Sequence, residues 1–146
     1  MVPSSMQDLA QLFVTEMRRR RQAMGLSQQA LGDMLGLDRN TISRIERGAP
    51  NLSLLNAAEI ASALGTSLSA MIDEKAKPGP EQVQAFGSRV KECRTAKGWN
   101  QRELAERIGV DRNWVSAIES GRQNVSLQTL RKFADALSMT PTDLLR

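Results

Sequence analysis

The tripeptide Asp-Arg-Asn occurs twice in this chain, as Asp38-Arg39-Asn40 and again, 73 residues on, as Asp111-Arg112-Asn113. Arginine presents a planar fork of N–H donors, and an asparagine amide donates and accepts side by side. Such groups recognise paired acceptors; they do not make or break bonds. The residues that would do so are missing. Histidine is absent and Cys93 is the only cysteine, which excludes His-dependent nucleophile constellations and most metal sites. No phosphate-cradling glycine loop occurs either, so no catalytic residue, metal ligand or cofactor is expected. A lone cysteine cannot close a disulfide within the chain, which suits a reducing cytoplasm, the expected location. No apolar run approaches the roughly 18–20 residues of a membrane span, so no membrane partner is expected.

The two tripeptides belong to a longer repeat. Sliding the sequence along itself by 73 residues gives 20 identities over positions 13–72 without a gap. Among them Arg21, Gly25, Gln28, Leu31 and Gly36 meet Arg94, Gly98, Gln101, Leu104 and Gly109, while Ser43, Ile45, Glu46 and Gly48 meet Ser116, Ile118, Glu119 and Gly121. The structural unit is therefore about 60–65 residues long and present twice. We expect one domain over residues 1–74, a linker over 75–80 and a second domain over 81–146. Two prolines around a glycine, Pro78-Gly79-Pro80, cannot continue a helix, and the flanking charges keep the segment wet. The units should be closely tethered without being fused.

Periodicity and punctuation give each unit five helices. In the first, Leu9, Leu12, Phe13, Glu16, Met17 and Arg20 lie along one side of an opening helix. Ser27 is a good N-cap for a second helix carrying Ala30, Leu31, Met34 and Leu35 inward, and Gly36 closes it. Asp38 caps a third helix with Ile42 and Ile45 inside, and Ser53 caps a fourth bearing Leu54, Ala57, Ala58, Ala61 and Leu64. A short last helix carries Leu68, Met71 and Ile72. The second unit repeats this punctuation with Asn100, Gly109, Asp111 and Ser126, and places Pro141 in the first turn of its final helix. No segment alternates at period two for long enough to make a strand. The expected fold class is all-α, two tandem five-helix domains.

A short helix, a tight turn with Gly and a second short helix make a helix-turn-helix. The run Gly25-Leu-Ser-Gln-Gln-Ala-Leu-Gly-Asp-Met-Leu-Gly-Leu-Asp-Arg-Asn-Thr-Ile-Ser-Arg-Ile-Glu-Arg-Gly48 closely resembles the lambda-repressor-like family of phage repressors, Cro proteins and their bacterial relatives. Residues 98–121 resemble it at least as well, and the likeness covers nearly the whole chain apart from the N-terminal tail and the linker. The tract Arg122-Gln-Asn-Val-Ser-Leu127 is similar to the controller proteins of restriction–modification systems.

The resemblance implies that base edges are read from the third helix of each unit, by Arg39, Asn40 and Arg44 and by Arg112, Asn113 and Ala117. The chemistry fits: Arg can grip guanine O6/N7 and Asn adenine N6/N7. The bland alternative is a solvated first turn behind an N-cap. Gln28 and Gln101 match residues that donate to a phosphate and brace the recognition helix. Arg18 and its mate Lys91 could reach a phosphate, and Arg19 a solvated face. Thr41 and Arg122 are further expected DNA contacts. So is Trp114, on an outward position beside inward Val115 where a core tryptophan would not fit; it would meet the DNA backbone or a partner. Glu46 and Glu119 resemble the glutamate that pairs with a first-helix arginine, here Arg21 and Arg94, in a structural role. Cys93 is an inert or incidental thiol.

Charge divides unequally. Residues 1–75 carry eight basic and eight acidic side chains, and residues 76–146 carry twelve and eight, so the second unit should contribute more nonspecific affinity for a polyanion. The expected function is a sequence-specific double-stranded DNA-binding transcription regulator, most simply a repressor, on operator half-sites. The apolar final helices (Leu68, Met71 and Ile72; Met139, Leu144 and Leu145) would form a homodimer of tandem chains, or a self-contained pseudo-dimer. The competing reading is an interaction protein, an antitoxin or antiactivator in which one unit binds a protein partner.

Overall fold

A computed structural model describes residues 8–48, 51–73, 75–76 and 81–146. Residues 77–80, most of the expected linker, lie outside that set, as do residues 1–7, 49, 50 and 74. Ten α-helices run in order: α1 Leu9–Ala23, α2 Gln28–Leu35, α3 Arg39–Glu46, α4 Leu54–Ala63, α5 Leu68–Ile72, α6 Phe86–Ala96, α7 Gln101–Ile108, α8 Arg112–Glu119, α9 Leu127–Ala136 and α10 Pro141–Leu144. A 3-10 turn, Val83–Ala85, leads into α6. No strand occurs among the described residues, and the all-α reading with five helices per unit holds.

The caps explain why the helices are so short. Ser27, Asp38, Ser53 and Ser67 each accept a hydrogen bond from a backbone N–H in the first turn of α2, α3, α4 and α5. In the second unit Asn100, Asp111, Ser126 and Thr140 do the same, and Asn100 with Glu103 forms a reciprocal capping box. Between α2 and α3 the chain leaves through Gly36 at φ 71°, and between α7 and α8 through Gly109 at φ 86°. Only glycine enters this left-handed region without steric cost, so the turn before α3 and α8 is built the same way twice.

One continuous apolar core runs through both units, with Phe13, Met17, Leu31, Ile42 and Ile60 fully buried in the first and Leu104, Ile118, Leu130 and Phe133 in the second. Met34 departs from expectation. Its side chain is 54% exposed, because Leu31 fills the middle of the inward stripe of α2 and Met34 falls on its flank.

The units are packed together and not only tethered. Ser53 and Ser126 face one another in an isolated antiparallel bridge. On either side of it, the Leu54 N–H donates to the Val125 carbonyl at 2.7 Å and the Leu127 N–H to the Leu52 carbonyl at 3.3 Å. α1 packs on α9, the 83–85 turn packs on α4, and α5 meets α10. The Glu81 carboxylate accepts from the N–H groups of Leu68 and Ser69 at the start of α5, and the Gln82 N–H donates to the Leu145 carbonyl at 2.6 Å. The apolar final helices, expected to form either a homodimer or a self-contained pseudo-dimer, pack within the one chain. Leu68, Met71, Ile72, Leu144 and Leu145 are already buried inside one chain. The short connection holds the mates at high effective concentration, so they find each other first.

The closest helix crossing makes a test. A Cβ added at Gly87 on α6 would lie 2.1 Å from the Ile118 carbonyl oxygen and 2.9 Å from that of Glu119. Helix propensity alone would favour alanine there by about 1 kcal/mol. Overpacking against backbone should win, so Gly87→Ala is expected to destabilise by about 1–3 kcal/mol in denaturant unfolding.

Candidate nucleic-acid interface

An eight-residue helix such as α3 or α8 is far below the length at which an isolated helix is stable in water. Its inward face supplies part of the hold, through Ile42 and Ile45 or Val115 and Ile118. A buried ion pair supplies the orientation. The Arg21 guanidinium donates from Nε to Glu46 Oε2 at 2.7 Å and from a terminal nitrogen to Oε1 at 3.1 Å. Arg94 grips Glu119 the same way, at 2.7 and 3.0 Å. The remaining terminal nitrogen donates to the Leu26 carbonyl in one unit and to that of Trp99 in the other. Gln28 and Gln101 complete each cluster by donating to the same carboxylates at 3.2 Å. All four charged side chains are buried.

Desolvation pushes the Glu46 carboxyl up, but the hydrogen bonds from Arg21 and Gln28 and the charges of Arg21 and Arg18 outweigh it and hold the carboxyl below its ordinary range. The hydrogen bonds that Arg94 donates to Glu119 raise it further above the usual arginine range, against the opposing effect of burial. Both directions favour the charged pair in the folded state.

With the inner faces fixed, the outer faces are open. Arg39, Asn40 and Arg44 on α3 are exposed, as are Arg112 and Asn113 on α8, while Ala117 is half-buried. The Arg112 guanidinium reaches the Asn113 amide oxygen at 3.4 Å. Thr41 is half-buried and its N–H donates to the capping Asp38 carboxylate at 2.7 Å. Arg122 is exposed beyond α8, its Nε donating to Ser120 Oγ at 2.7 Å. Each Arg-Asn pair therefore stands at the N-terminal turn of a short helix whose opposite side is locked into the body.

This sequence of helices matches the Helix-turn-helix family over residues 17–71 and again over residues 90–144. The chain belongs to that family. Its relatives include the "Neisseria hypothetical transcription factor" of Neisseria meningitidis serogroup B, 46% identical over 63 residues that make up 43% of this chain and 58% of that protein. Control protein C.BamHI of Bacillus amyloliquefaciens is 39% identical over 61 residues, 41% of this chain and 75% of that one. Among solved structures, the restriction-modification controller protein C.AhdI from Aeromonas hydrophila is 46% identical, with a TM-score of 0.40, covering 42% of this chain and 92% of that chain. The alignment thus spans less than two thirds of the Neisseria relative's own length. Each relative corresponds to about one of the two helix-turn-helix units.

Two expectations need correction. Trp114 is not a free outward side chain. It is half-buried and stacks on Phe133, with centroids 5.7 Å apart and planes 18° apart. Phe133 also meets Phe86 edge-on at 5.8 Å. Its mate in the first unit is Ile60, so the second unit offers an aromatic face that lets a tryptophan lie down on the core. Arg18 turns to the Glu46 carbonyl at 3.1 Å and the Glu46 carboxylate at 3.6 Å, so it is committed to the ion-pair cluster. Arg19 is exposed, as expected of a solvated face, and holds Glu16 at 2.7 and 2.8 Å. Cys93 is buried, and desolvation pushes its thiol up, consistent with an inert thiol. One feature escaped sequence reasoning. Arg107 lies 4.0 Å above the Trp99 ring, with Lys97 at 5.4 Å. It brings together a loop residue and one two turns further along α7, which a repeat comparison does not reveal.

The ion pairs generate two expectations. Arg94→Ala or Glu119→Ala leaves a buried charge unpaired and should cost about 3–5 kcal/mol, less where solvent reaches the vacated site, in denaturant unfolding. The Glu46 carboxyl is held low in the folded state, so its stabilisation is fully present above the unfolded carboxylate range. It is lost as the pH falls through and below about 4.3 toward the depressed folded value. The melting temperature of Glu46→Gln should therefore fall less steeply with acidification than that of the parent.

Proposed function

We propose that this chain is a sequence-specific double-stranded DNA-binding transcription regulator, most simply a repressor, that lays α3 and α8 in the major groove. The observation that carries this reading is the exposed Arg-Asn pair, Arg39-Asn40 and Arg112-Asn113, at the first turn of two helices braced by identical buried ion pairs. An α-helix fits the major groove, where a guanidinium fork can take guanine O6/N7 and an amide can take adenine N6/N7. Arg44 adds a third long donor on the outer face of α3. Gln28 and Gln101 keep donor capacity beyond the bond to their glutamates, enough for a phosphate beside each recognition helix. Arg122 follows α8 as a backbone contact. The relatives' descriptions, a hypothetical transcription factor and a control protein, support the same reading.

Phosphate contacts and base contacts separate experimentally. On a duplex enriched from a random pool by the full chain, Arg39→Ala or Arg112→Ala should cost about 1–3 kcal/mol and relax specificity at one base position. An equal loss on every sequence would reduce these arginines to phosphate contacts. Unchanged protection by a variant lacking both Arg112 and Asn113 would remove α8 as a reader and favour a protein-binding role for the second unit.

A further inference from the structure

Residues 53 and 126 are repeat mates, and in the structure they oppose each other in an antiparallel bridge. A residue that pairs with its own mate in antiparallel fashion sits on a local two-fold axis. The flanking bonds obey that axis. Leu54 N–H to Val125 carbonyl becomes, on exchanging mates, Leu127 N–H to Leu52 carbonyl, and both are present. The packing obeys it too. The start of the first unit, in α1, lies on α9, while the 83–85 turn at the start of the second lies on α4, and α5 meets α10. One chain thus has the internal two-fold that duplex DNA also has about the centre of an inverted site.

The outward side chains obey it only in part. Arg39 and Asn40 match Arg112 and Asn113. One turn further, however, exposed Arg44 on α3 is replaced by half-buried Ala117 on α8. Thr41, bound to the Asp38 cap, is replaced by Trp114, stacked on Phe133. A long cation and a methyl group do not select the same base edge: arginine takes guanine, whereas a methyl contacts the thymine methyl.

We propose that a single chain is the complete DNA-reading unit, a covalent pseudo-dimer, and that it recognises an operator of two unequal inverted halves in one fixed orientation. The halves agree where the Arg-Asn pairs read and differ where Arg44 faces Ala117. The proposal rests on the DNA-binding reading above and adds its stoichiometry and polarity. Because both readers are on one polypeptide, occupancy rises with the first power of chain concentration, with no dimerisation step before binding.

The test uses the full chain. Duplexes are enriched from a random pool, and the chain-to-duplex ratio in the complex is read by native mass spectrometry. Arg44→Ala and Ala117→Arg are carried through the same enrichment. We expect one chain per duplex and an inverted motif whose halves differ at one base step. Arg44→Ala should reduce the preference at that step roughly 5- to 150-fold in one half only, and Ala117→Arg should create the same preference in the other. Two chains per duplex, or equal halves that Arg44→Ala changes together, would overturn the proposal while leaving the DNA reading intact. Failure to enrich any duplex would overturn the DNA reading and this proposal with it.

Discussion

Everything the two outer faces can do depends on a buried arginine–glutamate pair. A helix of two turns has no stability of its own and no fixed direction. Apolar contacts through Ile42 and Ile45 hold α3 to the body but are non-directional. The two-point bond of Arg21 to Glu46 adds the direction, because a planar fork and a planar carboxylate meet in one geometry. Arg94 and Glu119 reproduce it to within 0.1 Å for the second N–H···O distance. Burying two opposite charges brings little net stability by itself. What it brings is a helix that cannot roll, with Arg39 and Asn40 held on the solvent side.

The local features of this fold were legible in the sequence, and the reason is physical. Caps such as Ser27, Asp38 and Ser126 act on N–H groups within three residues, so their spacing is written in the chain. The ion pairs were expected from the resemblance, in which that glutamate pairs with a first-helix arginine, and both pairs are present. Readings that failed depended on a third element. Met34 is apolar, but whether its side of α2 is covered depends on α4, and its repeat mate Arg107 already marked the position as exposed. Trp114 was expected to point outward beside Val115, but Phe133, where the first unit has the smaller Ile60, gives it a ring to stack on. Arg18 could be placed on the outer face by periodicity, but the nearby Glu46 carboxylate decided where it went.

The junction between units was the least legible part. It is made of backbone, the pairing of Leu52 and Leu54 with Val125 and Leu127, which residue types do not announce. It also buries apolar residues of both final helices within the one chain. The charge balance adds asymmetry to this near-symmetric body, since residues 76–146 carry four more basic than acidic side chains and residues 1–75 carry equal numbers. On the proposed DNA-binding reading, counterion release would favour the second unit, while exposed Arg44 would extend the outer face of α3 in the first.

The central claim is that α3 and α8 both face DNA with their first turns while their inner faces stay locked. Amide chemical-shift changes on titrating the labelled full chain with its selected duplex test it most directly. The account predicts that amides of residues 39–44 and 112–117 shift together, while those of Leu31, Ile60, Leu104 and Phe133 in the core stay nearly fixed. Shifts confined to one recognition helix, or centred on α4 and α9, would contradict it.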